Sequence, residues 1–220
     1  MSERLATAGS YDAFLSYSHA IDSRLALELR HELLQFARPW HRRHSLRIIS
    51  SATNLAATPD LWATIEATLG RAKYFILLAS PQAAQSRWVS REVAWWLANR
   101  SPERMLIVLT SGTIEWSNQD ADFDWIATNA LPATLTGAFS AEPRWVDFRT
   151  FGADDSSRQR DLSTIADLAA PLHSLPRDAL VDAHVGSQRQ IRRIIWACIA
   201  GLSAQSILVA VLLVLLLRAP

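Results

Sequence analysis

The chain has 220 residues, of which 50% are hydrophobic and 20% are charged. This composition excludes a wholly disordered chain, and the length predicts one domain, or one domain with an appendage. The net charge of +1 argues against a dedicated nucleic-acid binder, and the single cysteine excludes an intrachain disulfide and a thiolate metal site.

Short apolar runs alternate with helical patterns along most of the chain. The runs predict strands at Tyr11–Tyr17, Leu46–Ile49, Tyr74–Ala79, Met105–Leu109 and Trp145–Phe148. Apolar residues at helical spacing predict helices at Asp22–Phe36, Leu61–Leu69, Trp88–Asn99 and Asp161–Leu172. The stretch 110–143 fits neither pattern, although its tryptophans and prolines indicate an ordered segment.

Strands that alternate with helices favour a parallel sheet covered on both faces. Five strands in a chain of this size predict an α/β fold, the flavodoxin-like doubly wound sheet in strand order 2-1-3-4-5. In such a sheet the ligand crevice lies beyond the carboxyl ends of the first and third strands. The sequence places Ser16, Tyr17 and Ser18 at the end of the first strand and Ser80 after the third.

The C-terminal segment has a different composition. Ile194–Leu217 is a run of 24 residues without a charge, and as a helix it would span about 36 Å, enough for a hydrocarbon core of about 30 Å. Three arginines precede the run and one follows it, which predicts a cytoplasmic N-terminal part. We therefore predict a tail at 1–10, a domain at 11–175, a linker at 176–193 and a single-pass membrane helix at 194–217 that contacts lipid.

The helix predicted at Trp88–Asn99 carries an aromatic residue and a carboxylate at its entry. Trp88 and Glu92 are four residues apart and share one helical face. A carboxylate in the crevice could hydrogen-bond sugar hydroxyls and stabilise a developing positive charge, as in glycosidic cleavage. On spacing alone, an exposed Glu92 beside a core Trp88, without any functional role, is the commoner arrangement.

Three segments in this order resemble one protein family. YDAFLSYS at 11–18 resembles box 1 of the Toll/interleukin-1 receptor (TIR) domain, and SRWVSREV at 86–93 resembles the Trp-x-x-x-Glu segment of bacterial TIR domains. Leu61–Pro81 resembles the helix and third strand between them. The later tryptophans are similar to a bacterial subgroup whose TIR domain precedes a membrane span and, in some relatives, WD repeats; the repeats are absent from this sequence.

The resemblance implies an NAD⁺ glycohydrolase of defence or stress signalling, which releases nicotinamide and ADP-ribose or its cyclic form. It implies NAD⁺ as substrate and neither a cofactor nor a metal. It assigns Glu92 as the catalytic glutamate and Trp88 and Tyr17 to the substrate cleft, where we also expect Ser16, Ser18 and Ser80. A general acid is not required, because nicotinamide leaves from a substrate in which it already carries positive charge.

The resemblance also implies self-association with other TIR domains, as a homo-oligomer, through a loop after the second strand. The residues of that loop that we expect to take part are Ser50, Ser51, Asn54, Leu55 and Pro59. Relatives usually carry Arg-Asp where this sequence has Ser50-Ser51, and the missing charges remove hydrogen bonds that would order the loop. A second hypothesis therefore stays open, a non-catalytic module that recruits other TIR domains at the membrane.

Overall fold

A five-stranded parallel sheet lies at the centre of the computed structural model, which describes residues 10–19, 22–36, 46–50, 60–151 and 158–173. Its strands are β1 (Tyr11–Ser16), β2 (Ile48–Ser50), β3 (Ala72–Ala79), β4 (Met105–Leu109) and β7 (Trp145–Asp147). They are arranged in the order β2-β1-β3-β4-β7, and every neighbouring pair is parallel. This is the predicted order 2-1-3-4-5, so the flavodoxin-like α/β class is confirmed.

Helices cover both faces of the sheet. They are α1 (Ser23–Gln35), α2 (Leu61–Leu69), α3 (Pro81–Gln85), α4 (Arg87–Asn99) and α5 (Arg158–His173). One hydrophobic cluster joins the sheet to α1 and α5, and the other joins it to α2 and α4. Along β1, Leu15 packs into the first cluster and Phe14 into the second, because successive side chains of a strand point to opposite faces.

Predicted and observed boundaries agree to within three residues for the elements predicted from the sequence. Helix α3 was missed because a helix of five residues is too short to show a periodic apolar pattern. Side chains cap two of the helices: that of Asp60 accepts from the backbone of Ala63 at the start of α2, and that of Ser86 accepts from the backbone of Val89 at the start of α4.

The segment that connects β4 to β7 is ordered, as predicted. It contains a two-stranded antiparallel ribbon of β5 (Trp116–Ser117) and β6 (Asp122–Phe123), which are too short to be recognised in the sequence. The ring of Phe123 is fully buried and makes edge-on contacts with three other aromatic rings, those of Trp116, Trp125 and Phe139. Buried residues of this segment pack into the cluster that contains α2 and α4.

The predicted membrane location requires correction. No helix within the described residues is long and apolar enough to cross a membrane. The longest of them, α5, has 16 residues, whereas a spanning helix needs about 20 apolar ones. This finding contradicts the predicted single-pass location with its cytoplasmic domain, which is not retained, and it gives no support to the predicted lipid contact. The segment on which they rested, Ile194–Leu217, lies outside the described residues, as does the predicted linker 176–193.

Candidate active site

A buried carboxylate lies at the carboxyl end of β1. The Glu92 side chain on α4 is 1% exposed, and the Ser16 hydroxyl donates a hydrogen bond of 2.5 Å to its Oε2 atom. Ser16 is the last residue of β1 and points to the same side as Phe14, toward α4. A hydrogen bond this short fixes the orientation of the carboxylate relative to the strand.

Two tryptophans lie at the same end of the sheet, one on α4 and one on α2. Trp88 is in the first turn of α4 and is 40% exposed, and Trp62 is in the first turn of α2. Their ring centroids are 6.4 Å apart. On spacing alone, an exposed Glu92 beside a buried Trp88 was the commoner arrangement. The structure shows the reverse, because Glu92 is the buried residue of the pair and Trp88 is the exposed one. The result is a buried acidic group on α4 and, at the same end of the sheet, an aromatic rim formed by Trp88 and Trp62.

A second buried carboxylate, Asp22, lies on the other side of the same edge. Its Oδ2 atom accepts from the Ser80 hydroxyl at 2.8 Å, and its Oδ1 atom accepts from the Thr110 hydroxyl at 3.1 Å. Its backbone N–H donates to the carbonyl of Ser18 at 3.0 Å. Asp22 therefore connects the chain segments that follow β1, β3 and β4. Although it stands at the N-cap position of α1, its side chain makes no capping hydrogen bond.

The other predicted residues are distributed unevenly around the site. Tyr17 packs into the cluster on the α1 side of the sheet, opposite Ser16, and its ring lies 4.9 Å from that of His19. Ser80 is fully buried, and its hydroxyl also caps α3 by accepting from the Ala83 backbone. Ser50 is a buried residue of β2 that pairs with Leu15 of β1. The remaining residues of the predicted association loop lie outside the described residues: Ser51, Asn54, Leu55 and Pro59.

Sequence reasoning did not identify Trp62 or Asp22 as part of this edge. A signal for Trp62 was present, because α2 follows β2 and begins at the edge where β2 ends, which is also where β3 ends and the chain turns through α3 into α4. Asp22 was predicted only as the first residue of a helix. Among the described residues, no group of three or more histidine, cysteine, aspartate or glutamate side chains could hold a metal ion.

Comparison with known proteins gives the family. The family model described as TIR domain matches residues 13–161, so this chain belongs to the TIR domain family. A protein of Actinoplanes sp. named NAD(+) hydrolase ApTIR is 39% identical over 203 residues. That match covers 91% of this chain and 28% of the relative, so the chain spans less than a third of the relative's length. The predicted TIR family is therefore confirmed, and neither comparison supports the membrane helix or the WD repeats of the suggested subgroup.

Proposed function

We propose that this protein hydrolyses NAD⁺ to nicotinamide and ADP-ribose, with Glu92 as the catalytic carboxylate. The observation that carries the proposal is the burial of Glu92 at the carboxyl edge of the sheet, oriented by Ser16 and adjacent to the exposed Trp88. The 39% identity to a protein named as an NAD⁺ hydrolase supports it. No cofactor is part of the proposal, because NAD⁺ is the substrate.

The chemistry needs little more than this set of groups. The bond between the nicotinamide nitrogen and ribose C1′ breaks, and its electron pair leaves with nicotinamide as a neutral molecule. The positive charge that develops on the ribose is stabilised by the fixed Glu92 carboxylate. Water then adds to C1′ and loses a proton, which gives ADP-ribose. A flat aromatic surface such as Trp88 suits the departing pyridine ring.

The proposed reaction is tested by nicotinamide release from wild type and Glu92→Gln. The variant keeps the shape of the side chain and removes its charge, so we expect a loss of about a hundredfold or more in initial rate. Glu103→Gln is the matched control, because Glu103 is exposed, lies in the turn that precedes β4 and loses the same charge. Glu103→Gln should retain the wild-type rate. Full activity in Glu92→Gln would refute the role of Glu92.

We further propose that the active form is a homo-oligomer of TIR domains. A domain that completes its site with a neighbour becomes more active per chain as the protein concentration rises. A rate per chain that stays constant across a wide range of protein concentration would contradict this part of the proposal.

The alternative of a non-catalytic recruitment module rested on Ser50-Ser51. Ser50 is a buried strand residue paired in the sheet rather than a member of an exposed loop. A serine there is compatible with the sheet, so Ser50 does not favour the alternative. Absence of nicotinamide release from the wild type, at every concentration, would favour it instead.

A further inference from the structure

Arg91 is held in a fixed position at the rim of the candidate site. Its guanidinium carbon lies 3.7 Å from the centroid of the Trp62 ring, so the cation stacks on the indole. Stacking leaves the N–H groups at the edge of the guanidinium able to donate to another partner. Among the ion pairs found within the described residues, none involves Arg91.

The position of Arg91 connects it to the site. It precedes Glu92 directly and lies three residues after Trp88, so Arg91 and Trp88 are neighbours on the helix surface. Trp62 contacts both, with Arg91 stacked on it and the Trp88 ring 6.4 Å away. The Arg91 guanidinium therefore lies against the aromatic pair, whereas the Glu92 side chain is buried on the same helix.

A dinucleotide that binds at this site needs a cationic side chain next to its diphosphate. Its diphosphate carries negative charge, which a site built only on the Glu92 carboxylate would repel. An arginine can bind phosphate oxygens through two parallel N–H donors, and an arginine already stacked on an aromatic ring loses less side-chain entropy on binding.

We propose that Arg91, positioned by Trp62, binds the diphosphate of the dinucleotide substrate. The identity of the substrate rests on the proposed function, but the phosphate-binding role can be tested without turnover. Trp62 is a positioning residue in this arrangement, because it acts by holding the guanidinium in place.

The direct test is a binding titration of ADP to wild type and Arg91→Gln. Loss of a charged donor to phosphate should weaken ADP binding about tenfold or more. Arg104→Gln is the matched control, because Arg104 is exposed and precedes β4 at the opposite edge of the sheet, and its loss changes the net charge equally. We expect Arg104→Gln to bind ADP as the wild type does. Equal affinity of Arg91→Gln and wild type, or no binding of ADP to the wild type at about 1 mM, would overturn the proposal.

Turnover kinetics provide a second readout that a merely structural role would not reproduce. The diphosphate is unchanged between ground state and transition state, so Arg91→Gln should raise KM for NAD⁺ and leave kcat within about twofold. A fall in kcat with KM unchanged would contradict the proposal that Arg91 binds the diphosphate equally in the ground state and in the transition state. Arg91→Lys keeps the charge but loses the planar fork, and an intermediate affinity for ADP is expected.

These outcomes separate this proposal from the proposed function. If ADP binds through Arg91 but the wild type releases no nicotinamide, the hydrolase assignment fails and the phosphate site stands. If nicotinamide is released and Arg91→Gln binds ADP normally, the hydrolase assignment stands and the role of Arg91 is refuted. Thermal melting of each variant identifies any loss of binding that comes from unfolding.

Discussion

Two carboxylates are buried at the same edge of the sheet, and their surroundings differ. Both oxygens of Asp22 accept from hydroxyl groups of the fold, those of Ser80 and Thr110, and its position ties three segments of chain together. Glu92 is oriented by Ser16 and lies four residues after Trp88 on α4, a tryptophan that is 40% exposed. Each is almost fully buried, at 4% and 1% exposure respectively.

The difference shows that burial of a carboxylate does not by itself mark a catalytic site. Asp22 is enclosed by groups that the fold requires, so its hydrogen bonds stabilise the strand ends. Glu92 is next to an accessible aromatic surface with a stacked cation at its rim, which are features that a ligand uses. We infer a structural role for Asp22 and a chemical role for Glu92, and the variants below separate the two.

The largest expected effect on stability comes from Asp22→Ala. The change leaves the buried Ser80 hydroxyl without its acceptor, while the half-buried Thr110 hydroxyl keeps the Ala79 carbonyl as a partner. We expect the free energy of unfolding to fall by about 1–3 kcal/mol. Urea denaturation followed by circular dichroism measures this, with Glu103→Ala at the exposed turn as control. A change below about 0.5 kcal/mol would show that the cluster does not hold the strand ends together.

Trp88→Leu should act on substrate binding rather than on stability. Loss of the exposed aromatic face is expected to raise KM for NAD⁺ about threefold to tenfold. Trp95→Leu is the control, because Trp95 is on the same helix two turns further along and packs beside Gly70. If both variants raise KM equally, the cause is a change in the packing of α4 and not the loss of the exposed Trp88 ring.

Ser16→Ala removes the hydroxyl that orients Glu92. We expect kcat to fall about fivefold, which is the usual contribution of one hydrogen bond, with KM little changed because the aromatic rim is intact. Single-turnover measurement of nicotinamide release separates the chemical step from binding. An unchanged kcat would mean that packing alone orients the carboxylate.

The exposed carboxylate of Asp147 should contribute less to stability than the buried carboxylate of Asp22. The hydrogen bond from the Arg149 guanidinium lowers the pKa of Asp147, although burial opposes the shift. A lowered pKa stabilises the fold above the ordinary aspartate pKa of about 4, and the contribution is lost as pH falls through the folded-state pKa. Asp147→Asn should therefore lower stability slightly at pH 7 and not at about pH 2, in parallel urea titrations. An equal deficit at both values of pH would contradict this origin.

The fold could be predicted from the sequence because its signals are local and agree with one another. The unbroken apolar runs of β3 and β4 predict strands covered on both faces, and that is how they lie in the sheet. The elements that were missed, α3, β5 and β6, have five residues or fewer and show no period. Their formation depends on contacts with distant residues, such as the rings around Phe123.

The candidate site was only partly predictable, because it depends on which face of the sheet a side chain points to and on contacts between residues far apart in the sequence. Sequence adjacency grouped Ser16 with Tyr17, but consecutive strand residues point to opposite faces, and Tyr17 packs with the α1 side. The contacts of Asp22 with Ser80 and Thr110 join residues 58 and 88 positions apart, which no local pattern reveals. The stacking of Arg91 on Trp62 likewise depends on how two helices approach each other.

The measurement that tests the central claim most directly compares Glu92→Gln with Asp22→Asn, for both nicotinamide release and thermal melting. We predict that Glu92→Gln abolishes release and melts at or above the wild-type temperature, because catalytic groups are often placed at a cost to stability. Asp22→Asn should melt at a lower temperature and still release nicotinamide below that temperature. Wild-type release by Glu92→Gln, or loss of release confined to Asp22→Asn, would contradict the division of roles between the two carboxylates.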